Sequence, residues 1–275
     1  MDDQTPDKPE EIIAEGPVLV RYAEGVAEIE LNRPEAANGF SLELGRRLHE
    51  AIMTVHGDRR VRAVILSGRG RIFCAGGDIK EFFSKGEDLP NFLRMATAYL
   101  QTCVSGLVNL EVPVVAKIQG YATGGAGMGL TCAADIAVCG ASTRFMAGAT
   151  RVGMAPDGGA TATLSRLVGF RRAMDIVLTN RMVEADEAER IGLVTRVVAD
   201  EALDAEVRKL ARQLADGAPR AQSATKRLMW NGLARGFDAS LPDEARETSQ
   251  LSGTADSLEG LKAVIEKRKP VFEGR

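Results

Sequence analysis

Two stretches of the sequence each contain a turn made mostly of glycine and alanine, Phe73-Cys74-Ala75-Gly76-Gly77-Asp78 and Gly120-Tyr121-Ala122-Thr123-Gly124-Gly125-Ala126-Gly127-Met128-Gly129. Each turn follows an apolar segment of strand length and precedes a helical pattern. Glycine lets a backbone approach a ligand closely, and amides at the start of a helix lack an intrahelical acceptor. Taken singly, each segment predicts a tight strand-to-helix connection. Together they predict two backbone N–H groups that converge on one oxygen atom and stabilise negative charge there.

The second turn does not match either common nucleotide-binding motif. A dinucleotide fingerprint that begins at Gly125 requires glycine or alanine at position 130, where Leu130 stands. A P-loop requires lysine directly after Gly129. The turn therefore predicts a close backbone approach to a ligand without specifying a nucleotide.

Composition excludes several classes of function. The formal net charge of −3 over 275 residues gives no reason to expect a nucleic-acid partner, which would require a basic excess. No apolar run approaches the roughly 18 residues that a membrane span needs. The acidic start, Met1-Asp2-Asp3, is unlike an export signal and predicts a cytoplasmic protein. Four separated cysteines and two histidines give no recognisable metal site.

Hydrophobic periodicity divides the chain into three parts. Residues 1–16 are rich in Asp, Glu and Pro and predict a disordered lead-in. Residues 17–199 alternate strand and helix patterns, beginning with a hairpin around Glu24-Gly25, and predict an α/β body. Residues 200–275 predict only helices. Their apolar stripe must be covered, and we expect other subunits to cover it; the stripe comprises Leu203, Val207, Leu210 and Leu214.

The order and spacing of short motifs over residues 17–273 resemble the crotonase (enoyl-CoA hydratase/isomerase) superfamily. The motifs are Asn32-Arg33-Pro34, Phe73–Lys80, Gly120–Asp135, Pro156-Asp157-Gly158-Gly159, Leu178-Thr179-Asn180-Arg181 and Glu259-Gly260. The resemblance implies an α/β spiral of ββα units with a helical C-terminal oligomerisation region, assembled as a homotrimer or homohexamer. It also implies an acyl-CoA thioester substrate and no separate cofactor, because coenzyme A is part of the substrate.

The resemblance also implies a set of site residues. The first oxyanion donor falls on the Gly77 amide, and the second falls on Ala126, with Gly125 as the near alternative. Substrate-binding positions implied by the family pattern are Ala36, Ala37, Ala75, Gly77, Asp78, Ile79 and Lys267. From the residues alone, Asp78 also fits a helix N-cap, and Lys267 also fits a solvated helix end.

The chain departs from the family's hydratases at two positions. Where those enzymes have two catalytic glutamates, this sequence has Gly129 and Ala149. One carboxylate remains at a matching position, Asp157, which resembles the aspartate of double-bond isomerases and the nucleophilic aspartate of haloaroyl-CoA dehalogenases. Asp157 also fits a helix N-cap. A helix start would favour its ionised form, whereas an apolar pocket would raise its pKa.

Four functions remain open on these grounds. Isomerisation with Asp157 as acid and base is the leading hypothesis, followed by hydration at an atypical site. Dehalogenation comes third, because the dehalogenases' essential histidine falls on Gln101 and their active-site tryptophan falls on Ala149. A catalytically silent CoA-ester-binding subunit is the alternative from another class. A missing glutamate could also be replaced by Gln101, Glu81 or Arg151.

Overall fold

The structure, a computed structural model, describes residues 9–275. Its strands are β1 (Glu10–Ile13), β2 (Val18–Ala23), β3 (Val26–Leu31), β4 (Ala63–Gly68), β5 (Val114–Ile118), β6 (Tyr121–Thr123), β7 (Ile136–Gly140), β8 (Arg144–Met146), β9 (Val183–Glu184) and β10 (Arg196–Val198). Its α-helices are α1 (Leu42–Gly57), α2 (Ile79–Ser84), α3 (Leu89–Asn109), α4 (Gly124–Ala133), α5 (Ala160–Val168), α6 (Phe170–Thr179), α7 (Ala185–Ile191), α8 (Leu203–Ala215), α9 (Pro219–Gly232), α10 (Phe237–Ser252) and α11 (Ala255–Glu266).

Two sheets form the body of the protein. The larger sheet has the strand order β1-β2-β3-β4-β5-β7-β10, and the smaller has the order β6-β8-β9. Strands β1 to β3 are antiparallel, whereas β3, β4, β5, β7 and β10 run parallel. The chain passes from β5 in the larger sheet to β6 in the smaller sheet and then into α4. It repeats the step with β7, β8 and α5. The predicted spiral of ββα units is therefore confirmed.

The N-terminal hairpin follows from its turn residues. Glu24 and Gly25 have φ angles of 48° and 82°, the positive values that a two-residue turn between twisted antiparallel strands requires. The pairing of Ala23 with Val26 closes this turn. The predicted disordered lead-in is corrected at Glu10–Ile13, which form β1 against β2. The part of that prediction covering residues 1–8 lies outside the described residues.

Helix α1 begins where the sequence predicts. The Ser41 hydroxyl accepts a 3.0 Å hydrogen bond from the Leu44 amide and so satisfies one of the helix's free N–H groups. The apolar stripe of α1 is buried at Leu44, Leu48 and Ile52. Together with α3 it covers one face of the larger sheet, and this packing forms the main core.

The C-terminal region is helical, as predicted, but the stripe on its first helix is not an exposed surface. Leu203 and Val207 of α8 pack against Ile65, Val115 and Val138 on the other face of the larger sheet. The expectation that other subunits cover this stripe is wrong, because the chain's own sheet covers it. Exposed apolar side chains lie further along, on α11, where Val264 and Ile265 are 78% and 81% exposed.

Of the helices in residues 9–275, none has both the length and the apolar character that crossing a bilayer requires.

Candidate active site

A cavity of about 410 Å³ lies where the two glycine-rich turns meet α3 and the segment that precedes α5. Most of its wall is apolar. It is lined by Phe40, Ala75, Gly77, Ile79, Phe82, Leu93, Ala96, Thr97, Leu100, Thr123, Gly124, Gly125, Ala126, Met146, Gly148, Ala149, Arg151, Val152, Met154, Ala155 and Asp157. Only two of these residues carry a charge, Arg151 and Asp157. A mostly apolar cavity with few polar groups is the usual form of a small-molecule site.

The two turns touch through glycine. A Cβ atom added to Gly76 would lie 2.8 Å from the Thr123 carbonyl oxygen and 2.9 Å from Gly124 Cα. Gly76 and Gly124 also have positive φ angles of 92° and 65°, which L-residues rarely adopt. Hydrogen bonds tie the two segments together: the Thr123 amide donates to the Cys74 carbonyl at 2.9 Å, and the Thr123 hydroxyl donates to the Ala75 carbonyl at 3.0 Å.

Gly77 lies between two peptide groups, and each of them already makes one hydrogen bond to Phe40. The Gly76 carbonyl accepts from the Phe40 amide at 2.7 Å, and the Asp78 amide donates to the Phe40 carbonyl at 3.1 Å. No acceptor for the Gly77 amide itself is found within residues 9–275. The Phe82 ring packs against Gly77 and leaves no room for a Cβ, which would lie 2.5 Å from that ring.

Ala126 supplies a second unpaired amide on the cavity wall. It is the third residue of α4, and the first amides of a helix have no intrahelical acceptor. No bond from the Ala126 amide to an acceptor outside the helix occurs among the described residues. Gly125, the alternative donor, lies in the same helical turn and also lines the cavity.

Asp157 lies over the first turn of α4. A Cβ added to Gly125 would overlap Asp157 Oδ1, so the carboxylate occupies the space that a side chain at position 125 would need. Burial raises the pKa of Asp157 above its ordinary value, against the weaker opposing effect of a hydrogen bond from its own backbone amide. A carboxyl group that is held partly out of water and has a raised pKa is a stronger base than a solvated one, which suits proton transfer.

The structure excludes the role of helix N-cap that the sequence also allowed for Asp157. The N-cap of α5 is Gly159, with a φ of 76°, and no side chain caps this helix. Asp157 lies two residues earlier, and its carboxylate faces the cavity beside Gly125. The side chain therefore does not act as a helix cap.

The segment that carries Asp157 packs on α4 at Gly125 and Gly129, which lie one helical turn apart. A Cβ added to Gly129 would lie 2.6 Å from the Gly158 carbonyl oxygen. The sequence resemblance places a hydratase glutamate at this position, and the approach of Gly158 leaves no space for a side chain there. Ala149, at the other glutamate position, lines the cavity but carries no group that transfers a proton.

The predicted substrate-binding residues separate into two groups. Ala75, Gly77 and Ile79 line the cavity. The others lie outside its wall, in the loop before α1, at the start of α2 and after α11; they are Ala36, Ala37, Asp78 and Lys267. The Ala37 carbonyl accepts from the Ala75 amide at 3.1 Å and so supports the first turn.

The carboxylate of Asp78 is occupied by its own chain. It accepts a 3.1 Å hydrogen bond from the Glu81 amide as the N-cap of α2 and pairs with Arg33 at 3.0 Å. Burial alone would raise the pKa of Asp78, but the Glu81 amide and Arg33 outweigh burial and hold that pKa below its ordinary value. The N-cap role predicted for Asp78 is present in the structure.

Lys267 stands at the exposed end of α11. It is the C-cap residue, with a φ of 54°, and it does not line the cavity of its own chain. A contact with coenzyme A across a subunit boundary therefore stays a prediction.

Part of the cavity wall was not predicted. Leu93, Ala96 and Leu100 follow each other on one face of α3, and sequence periodicity cannot distinguish such a stripe from a core stripe. Among the three side chains considered as substitutes for a missing glutamate, only Arg151 lines the cavity. Gln101 is exposed, and Glu81 lies 3.7 Å from the Lys85 ammonium group.

The chain matches a known family over almost its whole length. Residues 21–275 match the family model described as enoyl-CoA hydratase/isomerase. A Rhodobacter capsulatus protein named "Probable enoyl-CoA hydratase" is 36% identical over 93% of this chain and 98% of its own length. The 4-chlorobenzoyl coenzyme A dehalogenase-2 of an Arthrobacter species is 33% identical over 83% of each chain. The 1,2-epoxyphenylacetyl-CoA isomerase of Escherichia coli is 32% identical over 94% of this chain and 98% of its own.

A solved structure shares the fold. The enoyl-CoA hydratase of Bacillus anthracis superimposes with a TM-score of 0.89 and 32% sequence identity, covering 94% of this chain and all of that one.

Proposed function

The chain belongs to the enoyl-CoA hydratase/isomerase family, and we propose that it moves the double bond of an enoyl-CoA thioester, with Asp157 as the acid and base. The observation that carries the proposal is that, among residues 9–275, Asp157 is the single carboxylate on a cavity wall that also presents two unpaired amides. The relatives bear both hydratase and isomerase names, so the choice between these reactions rests on the residues of the site.

The proposed reaction begins with the thioester oxygen between the amides of Gly77 and Ala126. The Asp157 carboxylate removes a proton from C2 of a 3-enoyl thioester, and the electron pair of the broken C–H bond moves towards the thioester oxygen. The two N–H groups stabilise the charge that develops there, and losing one such donor typically costs about 10²–10³-fold in turnover. The dienolate then takes the proton back from the Asp157 carboxyl group at C4, which leaves the double bond between C2 and C3.

The raised pKa of Asp157 fits both halves of this cycle. A carboxylate with an ordinary pKa is a weak base, whereas burial makes this one a stronger base without a metal or a cationic partner. One residue suffices for both transfers because the enolate delocalises its charge over the carbons that exchange the proton. General acid–base help of this kind contributes about 10²–10⁴-fold to the rate.

Hydration by a pair of glutamates is not supported by this site. Adding water across a double bond by that route requires one group that positions and deprotonates water and another that protonates the carbon. Gly129 has no space for a side chain, and Ala149 has no functional group.

Dehalogenation remains the third choice, although the Arthrobacter dehalogenase is similar over most of the chain. An aryl ester formed on Asp157 would need a base to activate water for its hydrolysis. Gln101, the residue at the position of the expected histidine, is exposed and does not line the cavity.

The test uses a 3-enoyl-CoA and follows the absorbance of the conjugated 2-enoyl thioester. We expect this absorbance to rise, with no 3-hydroxyacyl-CoA detected by mass spectrometry. In deuterated water, label should enter the acyl chain wherever the Asp157 proton exchanges with solvent during turnover. Formation of 3-hydroxyacyl-CoA from a 2-enoyl-CoA would instead identify a hydratase. Tight thioester binding without turnover of any enoyl-CoA would identify a binding subunit.

A further inference from the structure

A second charge, Arg151, lies on the wall of the same cavity. Its guanidinium makes one polar side-chain contact, to Met146 Sδ at 3.9 Å. No carboxylate within residues 9–275 lies within ion-pairing distance of it, in contrast to Arg33, which pairs with Asp78 at 3.0 Å, and Arg181, which pairs with Glu187 at 2.8 Å. Arg151 is an exposed residue, and apart from the contact with Met146 its donors face the cavity or solvent.

The backbone that carries Arg151 is held in place. Residues Thr150–Val152 form a single 3₁₀ turn, and the Thr150 hydroxyl donates a 3.0 Å hydrogen bond to the Val177 carbonyl near the end of α6. Asn180 adds a 2.6 Å bond to the same hydroxyl, and the Met154 amide closes the segment by donating to the Ala149 carbonyl at 3.0 Å. A fixed turn of this kind orders the base of a long side chain, which reduces the entropy lost when its tip binds.

Arg151 does not serve the proposed catalytic carboxylate. No ion pair joins the two residues among those described, and the pKa of Asp157 is set by its burial and by its own backbone amide, without an effect from any cation. A guanidinium beside Asp157 would lower that pKa and weaken the base. The cavity wall thus carries two opposite charges that form no ion pair with each other, and most of the rest of the wall is apolar.

We propose that Arg151 determines substrate specificity by binding a carboxylate at the far end of the acyl group, so that the substrate is the mono-CoA thioester of a short dicarboxylic acid. The unpaired amides hold the thioester end, Asp157 lies beside the reacting carbons, and the guanidinium receives the distal carboxylate in a two-point hydrogen bond. The inference rests on the proposed function for the placement of the thioester, but it concerns binding and not proton transfer.

The experiment compares matched pairs of saturated CoA thioesters by isothermal titration calorimetry. The pairs are succinyl with butanoyl, glutaryl with pentanoyl, adipoyl with hexanoyl, and suberoyl with octanoyl. We expect the wild-type protein to bind at least one dicarboxylic thioester about 10–100-fold more tightly than its partner, the range of a hydrogen bond between charged groups. Arg151→Gln should remove this preference while leaving the affinity for the monocarboxylic partner unchanged, and Arg151→Lys should retain part of it.

Arg46→Gln is the control for the loss of one positive charge, since Arg46 is exposed on α1 and does not line the cavity. It should bind every thioester like the wild type. A wild-type protein without a preference at any chain length would overturn the inference. Equal weakening of both members of each pair by Arg151→Gln would also overturn it, because Arg151 would then bind a phosphate of coenzyme A. Saturated thioesters undergo no isomerisation, so these outcomes are independent of whether Asp157 is the base.

Discussion

Replacing Gly125 with alanine should displace the Asp157 carboxylate while leaving the stability of the fold almost unchanged. A Cβ at this position overlaps Asp157 Oδ1, and the oxygen must move by about 2 Å to regain ordinary contact distance. Because a carboxylate at the end of a side chain moves by rotation, this change costs little folding free energy. Removing a glycine from a helix offsets part of the cost, by up to ~1 kcal/mol.

The effect on turnover should be large. Misplacing a catalytic group by about 1 Å can cost about 10²-fold in rate, so we expect kcat of Gly125→Ala to fall by at least about 10²-fold. Thermal unfolding should change little. Calorimetry with a saturated acyl-CoA should show whether the added methyl group blocks binding, and turnover of a 3-enoyl-CoA then measures the loss that is due to Asp157.

Gly129→Ala is the matched comparison one helical turn away. Its Cβ meets the Gly158 carbonyl oxygen at 2.6 Å, and backbone cannot rotate aside, so this variant should lose roughly 1–3 kcal/mol of stability. Gly232→Ala, at the end of α9 with no atom within 4 Å of the new Cβ, should be neutral or stabilising. The reasoning is refuted if Gly125→Ala keeps wild-type kcat, or if it destabilises the protein as much as Gly129→Ala does.

Three further predictions concern the same site and the surface of the chain. Asp157→Asn should lower isomerase turnover by about 10²-fold or more. It should also raise the melting temperature at neutral pH. Because the pKa of Asp157 is higher in the folded than in the unfolded protein, its protonated form stabilises the fold fully below the unfolded-state pKa, and this stability is lost as pH rises through the folded-state pKa. The increase in melting temperature caused by Asn should therefore vanish in acid. Gly77→Pro removes the proposed donor and should lower turnover by about 10²–10³-fold relative to Gly77→Ala. The alanine variant is the control, because its Cβ meets the Phe82 ring in the same way but its N–H is kept. Equal turnover of the two variants would exclude the Gly77 amide as a donor. Light scattering should give the mass of a trimer or hexamer, since α11 exposes Leu258, Leu261, Val264 and Ile265; a monomer at micromolar concentration would contradict this.

Local rules recover much of the fold from the sequence. The hairpin at Glu24-Gly25, the Ser41 cap and the long parallel strands follow from turn chemistry, capping and apolar runs. The short strands β6, β8 and β9 do not, because segments of two or three residues carry no measurable period. The α8 stripe was placed at a subunit boundary because a periodic pattern shows that a face is buried without showing what buries it.

The candidate site, too, was predicted only in part from the sequence. The family pattern supplied Gly77, Ala126 and Asp157, and the structure brings all three to one cavity. The position of Asp157 beside Gly125 and the lack of space at Gly129 depend on contacts between residues about 30 positions apart, which no local pattern encodes. The sequence offered Arg151 only as one of three substitutes for a missing glutamate, because only the structure reveals that it lines the cavity and that its guanidinium lacks a carboxylate partner.

The pair Gly125 and Gly129 links the placement of Asp157 to the lack of space for a side chain at position 129. Glycines one turn apart on α4 leave a groove along one face of the helix, and Asp157-Gly158 lies in that groove. A glutamate at position 129 would push this segment away and take the carboxylate with it. A side chain at position 129 and the observed placement of Asp157 therefore exclude each other, so introducing Glu at position 129 should not create a hydratase. Gly129→Glu should instead lose isomerase turnover and stability together, and a folded Gly129→Glu protein that hydrates 2-enoyl-CoA while isomerising at the parental rate would contradict this coupling.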